Sequence, residues 1–306
     1  MTRAVVTGGA GFIGSHLVDQ LVRRGDDVIV IDNLKRGTRE RLKAHLRTDR
    51  IEFVEGDIRD QRTMAHLAAG ADVIYHLAAQ SNVMGALDVA EYSFTTNAYG
   101  TFNVLRAAVE ADVPRLVFSS SREVYGEPQY IPVDEDHPIA PKNPYGASKA
   151  AGEAYCRSFA HCHGIDVAIL RLANVYGAGD TNRVIPLWFS DAFAGRDLQV
   201  YGGSQILDLV WIDTVVDAIL LAGDRGLPGP TNIGSGVGTS ILELGQRIIE
   251  AASSSSLLVR TASRGAEVTR FIADTTRMTM LGLEPEADPL AHLPQLAASY
   301  GAVVAA

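Results

Sequence analysis

Ala4-Val-Val-Thr7-Gly-Gly-Ala-Gly-Phe-Ile-Gly14, running on into Ser15-His-Leu-Val-Asp-Gln-Leu-Val22, is the stretch that decides the fold. Ala4, Val5 and Val6 form a short apolar run that reads as a buried strand, and residues 15–22 carry apolar side chains at helical spacing. Between them, Gly9-x-Gly11-x-x-Gly14 fits a dinucleotide fingerprint: the glycines permit a tight turn, let backbone approach a pyrophosphate and let helix pack on strand. The helix N-terminus then faces the phosphates with unpaired N–H groups and the positive end of its dipole. A second apolar run, Val28-Ile-Val-Ile31, ends at Asp32. An acidic side chain there can accept hydrogen bonds from both adenosine ribose hydroxyls and repels a 2′-phosphate. That favours NAD over NADP, although Lys35 and Arg36 just beyond pull the other way. The alternative is a glycine-rich strand–helix turn that holds no ligand.

Composition sets the outer bounds. The 306 residues are 47% hydrophobic and 21% charged, enough for a large core and one or two domains. A formal net charge of −9 argues against a general affinity for nucleic acid or anionic membrane. No run of about 18 apolar residues occurs, and the first strand begins at once, leaving no room for a signal peptide. Cys156 and Cys162 give no disulfide framework and suit a reducing cytoplasm. His161-Cys162-His163 is not read as a metal cluster, because adjacent residues on a helix point in different directions, and no metal is expected.

Strands and helices alternate as a parallel, doubly wound α/β sheet requires. Candidate strands are 4–7, 28–32, 51–55, 73–77, 115–119 and 166–172, with helical stretches notably at 100–110 and 147–162. After about Asn174 the rhythm breaks, and Pro186, Gly195, Gly202, Gly203, Pro228, Gly229 and Pro230 punctuate shorter elements. The expected organisation is a Rossmann doubly wound domain over 1–173. A smaller C-terminal substrate-binding lobe covers most of 174–306, with some segments returning to the first domain. Ser253–Ser256 reads as a surface loop, and there is no internal repeat.

Asn143-Pro-Tyr-Gly-Ala-Ser-Lys149 brings in the chemistry. A Tyr-x-x-x-Lys pair alone is noise, but behind a nucleotide-binding turn it proposes redox acid–base catalysis. Four residues is about one helical turn, roughly 6 Å of rise, so the phenol of Tyr145 and the ammonium of Lys149 can share a face. A neighbouring cation stabilises phenolate and draws the tyrosine pKa down from about 10. A tyrosine tuned that way can take a proton from a sugar hydroxyl while hydride leaves the same carbon.

Taken together, the motifs resemble the extended short-chain dehydrogenase/reductase family, in particular its NAD-dependent nucleotide-sugar epimerases and dehydratases. In family order stand Gly-Asp57-Ile58, His76-Leu-Ala-Ala79, Asn97 before Gly100-Thr, Ser119-Ser-Ser121, Val-Tyr-Gly126, Tyr145-x-x-x-Lys149, Arg171-Leu-Ala-Asn-Val-Tyr-Gly177 and Ala273-Asp-Thr-Thr-Arg277. The resemblance implies tightly bound NAD, contacted by Gly8, Gly11, Phe12, Ile13, Gly14, Asp32, Asn33, Arg36 and Gly37. It adds Asp57 and Ile58 at the adenine, and Leu77, Ala78, Ala79 and Gln80 toward the nicotinamide. Asn97, Ser119, Tyr145 and Lys149 complete that set. Catalysis would fall to Tyr145, Lys149, Ser121 and Glu123. A UDP-sugar would meet Ser121, Arg122, Tyr145, Asn174, Arg183, Val184, Gln199, Tyr201 and Arg264. Tyr201 matches the aromatic position beside the uracil, against a plain reading as a strand-packing tyrosine. Arg264 matches the late diphosphate arginine, a job that suits a guanidinium fork. Similar proteins pair through two long helices per subunit, here 100–110 and 147–162, which implies a homodimer.

Two departures from that pattern bear on the substrate. Leu207-Asp208 stands where relatives carry Arg-Asp, so one phosphate arginine is missing and Arg264 or Arg183 would have to compensate. Arg122-Glu123 follows Ser121 where simple 4-epimerases have small or neutral residues. A glutamate there resembles the decarboxylases and 4,6-dehydratases. The dehydratases, however, place an aspartate at Arg122, and an arginine cannot donate a proton at neutral pH; Glu123 pairing with Arg122 is the plain alternative. Arg183 resembles enzymes that handle glucuronate, where a cation would read the C6 carboxylate, or else it contacts phosphate. The expected activity is therefore epimerisation at C4 of a UDP-sugar through a transient 4-keto sugar, with UDP-glucuronate to UDP-galacturonate as the specific expectation. Alternatives are a UDP-glucose or UDP-N-acetylglucosamine 4-epimerase, a UDP-glucuronate decarboxylase, a 4,6-dehydratase, and a reductase that releases its cofactor each turnover.

Overall fold

The computed structural model describes residues 1–304 apart from Asn82, Arg264 and Ala266, with no side chain described beyond residue 301. Its chain forms two units. One comprises Met1–Gly126, Pro138–Leu172 and Val215–Thr231, and the other Glu127–His137, Ala173–Thr214 and Asn232–Ala306.

The first unit is built on strands β1 (Arg3–Thr7), β2 (Asp27–Asp32), β3 (Ile51–Glu55), β4 (Val73–His76), β5 (Arg115–Ser121) and β6 (Asp166–Leu172). The central strands β1, β2, β4, β5 and β6 carry buried apolar runs, as expected for strands covered on both faces. The edge strand β3 instead includes two glutamates and is only partly buried. They pair in the order β3-β2-β1-β4-β5-β6, all parallel. Later in the chain come β7 (Asn174–Tyr176), β8 (Leu198–Tyr201), β9 (Ile206–Trp211) and β10 (Thr231–Ile233), the last of which adds a seventh strand beside β6. The six-strand order is that of the doubly wound dinucleotide fold, and it reverses between β1 and β4. Ligand crevices in such sheets open at the carboxyl ends of strands at that reversal, which here are Thr7 and His76.

Val5, Ile29, Ile31, Ile74, Leu116, Phe118 and Ile169 from the sheet pack with Val104 and Leu105 of helix Gly100–Glu110 and Cys156 of helix Pro144–His163. Each fully buried aliphatic side chain contributes roughly 1.5–3 kcal/mol, so this core fixes the strand ends to which the chemistry is attached. Helix Pro144–His163 starts where Asn143 Oδ1 accepts from Gly146 N at 2.8 Å, with proline in the first turn, and stops at Gly164 in the left-handed region.

The second unit contains β7, β8 and β9 together with β11 (Gly238–Ser240) and β12 (Leu258–Thr261). They form a three-stranded sheet, β11-β9-β7, and a two-stranded sheet, β12-β8. Helices Val184–Phe193, Ile241–Ala251 and Leu293–Val304 pack against one another beside them. Among the described residues, no helix is long and apolar enough to cross a membrane.

Candidate active site

The turn after β1 is a cradle only glycine can line. Gly8 takes φ +73°, and a Cβ there would sit 2.8 Å from the Ala78 Cα. A Cβ on Gly14 would lie 2.2 Å from the Gly8 carbonyl oxygen. The helix that follows, Phe12–Arg24, has no side-chain cap at Gly11, which leaves its first N–H groups for an anion. At the end of β2 the buried Asp32 accepts from Leu34 N (2.8 Å) and Ala10 N (3.1 Å). Burial pushes its carboxyl above the ordinary range, and those two hydrogen bonds work against the rise. Each oxygen keeps a further lone pair for a hydroxyl. Gly37 closes over it, since a Cβ there would fall 2.8 Å from both Asp32 oxygens. The shape and donor set fit a dinucleotide: a glycine-lined pyrophosphate seat, an uncapped helix end and a buried carboxylate one strand away.

Farther along this edge, Asn33 Nδ2 donates to Asp57 Oδ2 at 3.2 Å, and Arg36 Nη1 donates to Ser81 Oγ at 3.0 Å. Asp57 is gripped by Arg59 (Nε 2.9 Å, Nη2 2.7 Å), whose hydrogen bonds hold the carboxyl down to about 2 despite partial burial. Ile58 is buried against Gly100.

Residues 77–80 follow β4 and are held from two sides. Asn97 Oδ1 accepts from Gln80 N (2.7 Å), and its Nδ2 donates to Gln80 O and to Ser148 Oγ, both at 2.9 Å. Asn97 belongs to a π-helical segment, Phe94–Tyr99, a rare geometry that concentrates at functional sites. On the other side, Ala78 N donates to Thr7 Oγ1 (3.2 Å), which meets His76 Nδ1 (2.8 Å); His76 Nε2 meets Thr101 Oγ1 (2.9 Å), which donates to Asn97 O (2.5 Å). Thr101 has one hydroxyl proton and gives it to Asn97, so it must accept from His76 Nε2–H; His76 Nδ1 must then accept from Thr7. The tautomer is fixed by its neighbours. Burial, with help from the Lys149 charge, depresses the His76 imidazole to about 3, so it stays neutral. The sequence motif around His76 was legible, but this role was not, because it depends on two threonines 69 and 25 residues away.

Tyr145 and Lys149 lie one turn apart on helix Pro144–His163, and both are buried. Lys149 Nζ donates to Ser119 O at 2.6 Å and stands 4.9 Å from the centre of the Phe118 ring. Burial lowers its ammonium to about 8, partly countered by Cys156 and Glu153. Glu153, the next residue on that face, has no exposed surface. It accepts from Ser120 Oγ (2.6 Å), Arg171 Nε (2.9 Å) and Nη2 (2.8 Å), and Arg157 Nη1 (3.0 Å). The sequence motifs assign no role to Glu153 or Arg171; a glutamate four residues after the lysine is the available signal.

Ser121 ends β5 and accepts from Glu123 N at 3.2 Å, capping the short turn Arg122–Val124. Glu123 is buried with both oxygens engaged: Arg122 Nη2 lies 2.9 Å from Oε1, and Asn143 Nδ2 donates to Oε2 at 2.7 Å. The Arg122–Glu123 pair that the sequence allowed is therefore formed.

The remaining candidates belong to the second unit. Asn174 begins β7 and donates from Nδ2 to Asp208 O at 2.9 Å. Arg183 directly precedes helix Val184–Phe193; its Nη1 donates to Val175 O (3.3 Å) and its Nε lies 3.7 Å from Asp180 Oδ1. On β8, Gln199 and Tyr201 share the exposed face while Leu198 and Val200 are buried. Leu207 is half-buried on β9, and Asp208 beside it is buried, accepting from Ser235 N, Gly236 N and Ala273 N. Arg264 lies outside the described residues.

A family model described as the NAD dependent epimerase/dehydratase family matches residues 4–234. The chain belongs to the NAD-dependent epimerase/dehydratase family. A UDP-glucose 4-epimerase of Mycolicibacterium smegmatis is 37% identical over 294 residues, covering 93% of this chain and 94% of the relative. The structure of UDP-glucose 4-epimerase from Thermotoga maritima with UDP-glucose superposes with a TM-score of 0.93 at 31% identity, covering 99% of both chains. That of dTDP-glucose 4,6-dehydratase from Streptomyces venezuelae, with NAD bound, gives 0.93 at 34%, covering 97% of this chain and 96% of that one. The doubly wound fold, membership of an enzyme family and NAD as cofactor are thus common ground with these proteins, as the ordered motifs implied.

Proposed function

We propose that this enzyme is an NAD-dependent 4-epimerase of a UDP-sugar. The observation that carries this reading is the buried Tyr145–Lys149 pair one turn apart on a helix anchored to the end of β5, where Ser121 stands. The cradle formed by Gly8, Gly11, Gly14, Asp32 and Gly37 would hold the adenosine and pyrophosphate of NAD. Residues 77–80, clamped by Asn97 and Thr7, would border its nicotinamide.

When bound, NAD supplies a hydride acceptor that also returns hydride to the sugar carbon. The protein manages the proton. Lys149, charged at neutral pH, favours the phenolate of Tyr145. Tyr145 then takes the O4 proton of the sugar as C4 is oxidised, and gives it back when the ketone is reduced from the other face. Ser121 holds the reacting hydroxyl. Burial of Tyr145 and Lys149 keeps water from competing for that proton. Inversion needs the sugar to turn over between the two transfers, so contacts to the nucleotide arm, from Asn174, Gln199, Tyr201 and Arg264, carry most of the binding.

Glu123 is held by Arg122 and Asn143, which favours epimerisation over decarboxylation or dehydration, both of which need a free acid/base at that place. Within the UDP-sugars, the narrower reading is UDP-glucuronate to UDP-galacturonate, supported by Arg183, whose side chain keeps 35% of its surface exposed. Asp180 beside it offsets part of that charge and leaves a plain UDP-hexose as the broader reading. A homodimer is the proposed assembly: Phe94, Tyr99 and Tyr155 are 61%, 47% and 42% exposed on the π-helical segment and helix Pro144–His163. The two free cysteines accord with a cytoplasmic setting.

The test is to incubate the enzyme with a panel of UDP-sugars, without added NAD, and resolve products by NMR. Inversion at C4 is expected, with Tyr145→Phe losing turnover roughly 100-fold or more while keeping bound NAD. Wild-type turnover by that variant removes Tyr145 from the mechanism. Arg183→Ala should selectively impair UDP-glucuronate; equal loss on all UDP-sugars leaves Arg183 as a phosphate ligand.

A further inference from the structure

Helix Pro144–His163 carries three buried polar groups at four-residue intervals, Tyr145, Lys149 and Glu153, and only the first two have a place in the mechanism above. Consecutive residues of β5 receive the other two: Ser119 accepts from Lys149 through its carbonyl, and Ser120 donates to Glu153 through its hydroxyl. Arg171 on β6 binds both Glu153 oxygens and reaches Tyr125 Oη at 2.9 Å. Enclosing such an ion pair is expensive, and an apolar pair of similar volume often serves stability as well. An observed pair beside a buried lysine therefore calls for a reason other than stability.

The charges around Lys149 supply that reason. On its own helix it faces Tyr145, the Cys156 thiol, which burial keeps protonated, and Glu153. From β4 it faces His76, which is neutral. On the turn packed against this helix, Arg122 and Glu123 satisfy each other; on helix Gly100–Glu110, Arg106 and Glu110 lie 3.8 Å apart. Asp88 and Glu91, on the short helices alongside, are exposed. Glu153 is thus the buried anion that acts on Lys149. Burial opposes its ionisation, but Arg171, Ser120 and Arg157 together hold its carboxyl below the ordinary range.

We propose that Glu153 is a positioning residue for Lys149: its carboxylate, clamped by Ser120 and Arg171, keeps the Lys149 ammonium charged one turn after Tyr145. This rests on the reading that Lys149 stabilises the Tyr145 phenolate. It makes Ser120, Glu153 and Arg171 a backing layer that sets the pH at which the enzyme stops working.

The test is the pH dependence of kcat, together with nitrogen-15 NMR titration of the Lys149 ammonium in the NAD-loaded enzyme. Glu153→Gln keeps the shape and removes the charge, so the alkaline limb and the lysine titration should both move down by about one pH unit or more. Arg157→Gln removes a cation from the other side of the carboxylate and should move both upward by a few tenths of a pH unit. Arg157 is half exposed, so its variant folds and carries the test even if Glu153→Gln does not. A merely structural clamp would lower stability in both variants and leave both titrations in place, and that outcome overturns the proposal, as does movement of the two in the same direction. The lysine titration needs no turnover, so it judges Glu153 even if Tyr145→Phe defeats the catalytic reading.

Discussion

Replacing Lys149 with methionine should strengthen the fold over one pH range while abolishing turnover. The lysine is fully enclosed, and burial brings its ammonium from the ordinary 10.5 down to about 8. At about 1.4 kcal/mol per pH unit, that displacement is worth about 3 kcal/mol against the folded state whenever the lysine is charged in both states. Below pH 8 the folded and unfolded chains both hold the proton, and the cost is present in full. Between pH 8 and 10.5 the unfolded chain holds more protons than the folded one, so stability rises with pH and the cost fades. Methionine fills similar volume without charge, but it strands the Ser119 carbonyl that now accepts at 2.6 Å, a loss of about 1–3 kcal/mol. The variant should therefore match or exceed wild type by up to about 2 kcal/mol at pH 7. The firmer prediction is the slope: wild type should gain about 3 kcal/mol on the variant between pH 8 and 10.5. Paired urea denaturation at matched NAD saturation measures it. A gap that stays constant across that window, or moves the other way, refutes the assignment of a buried, charged Lys149.

Three further outcomes are open to measurement. Gly14→Ala puts a Cβ 2.2 Å from the Gly8 carbonyl oxygen, so the turn must open; purified protein should lose its bound NAD, and full retention by absorbance would show that the turn does not seat the cofactor. Asn143→Ala removes both the cap on Gly146 N and a partner of Glu123, and should lower stability in denaturant melts by about 1–2 kcal/mol; an unchanged midpoint would show that the cap is idle. Phe94→Asp sits on an exposed side chain and should change monomer stability by less than about 0.5 kcal/mol, yet shift the light-scattering mass from dimer to monomer; an unshifted mass removes this face from the assembly.

The fold was legible because its punctuation is local. The apolar runs before Gly8 and before Asp32 end where β1 and β2 end, and glycine spacing alone announces the turn between strand and helix. Tyr145 and Lys149 were legible as a pair because helical periodicity puts four-residue neighbours on one face. What holds them was not, since Ser119 and Arg171 come from other strands and only the register of β5 with β6 brings them close. The π-helical turn at Phe94–Tyr99 also left no mark: no proline or glycine interrupts Phe-Thr-Thr-Asn-Ala-Tyr, and the widened turn serves long-range bonds to Gln80 and Ser148. The sequence leaves Tyr201 open to two readings, and what the structure adds is its place, with Gln199, on the exposed face of β8. The excursion of Glu127–His137 into the second unit depends on bonds such as Asn232 N to Glu135 and Thr269 N to Glu127, which no local pattern encodes.

The buried, uncharged His76 gives the enzyme an acid floor. Burial, with the Lys149 charge adding to it, holds the folded imidazole neutral down to about 3, whereas an unfolded histidine takes its proton near 6.5. Above 6.5 neither state is charged and the buried imidazole costs nothing. As pH falls from 6.5 toward 3 the unfolded state alone binds the proton, which withdraws up to about 5 kcal/mol, a large share of the 5–15 kcal/mol typical of a folded domain. Acid titration of the unfolding midpoint should show that loss beginning near 6.5, and a His76→Gln variant, with no imidazole to protonate, should lack that part of it. The lysine limits the working range from above, and this histidine limits survival from below.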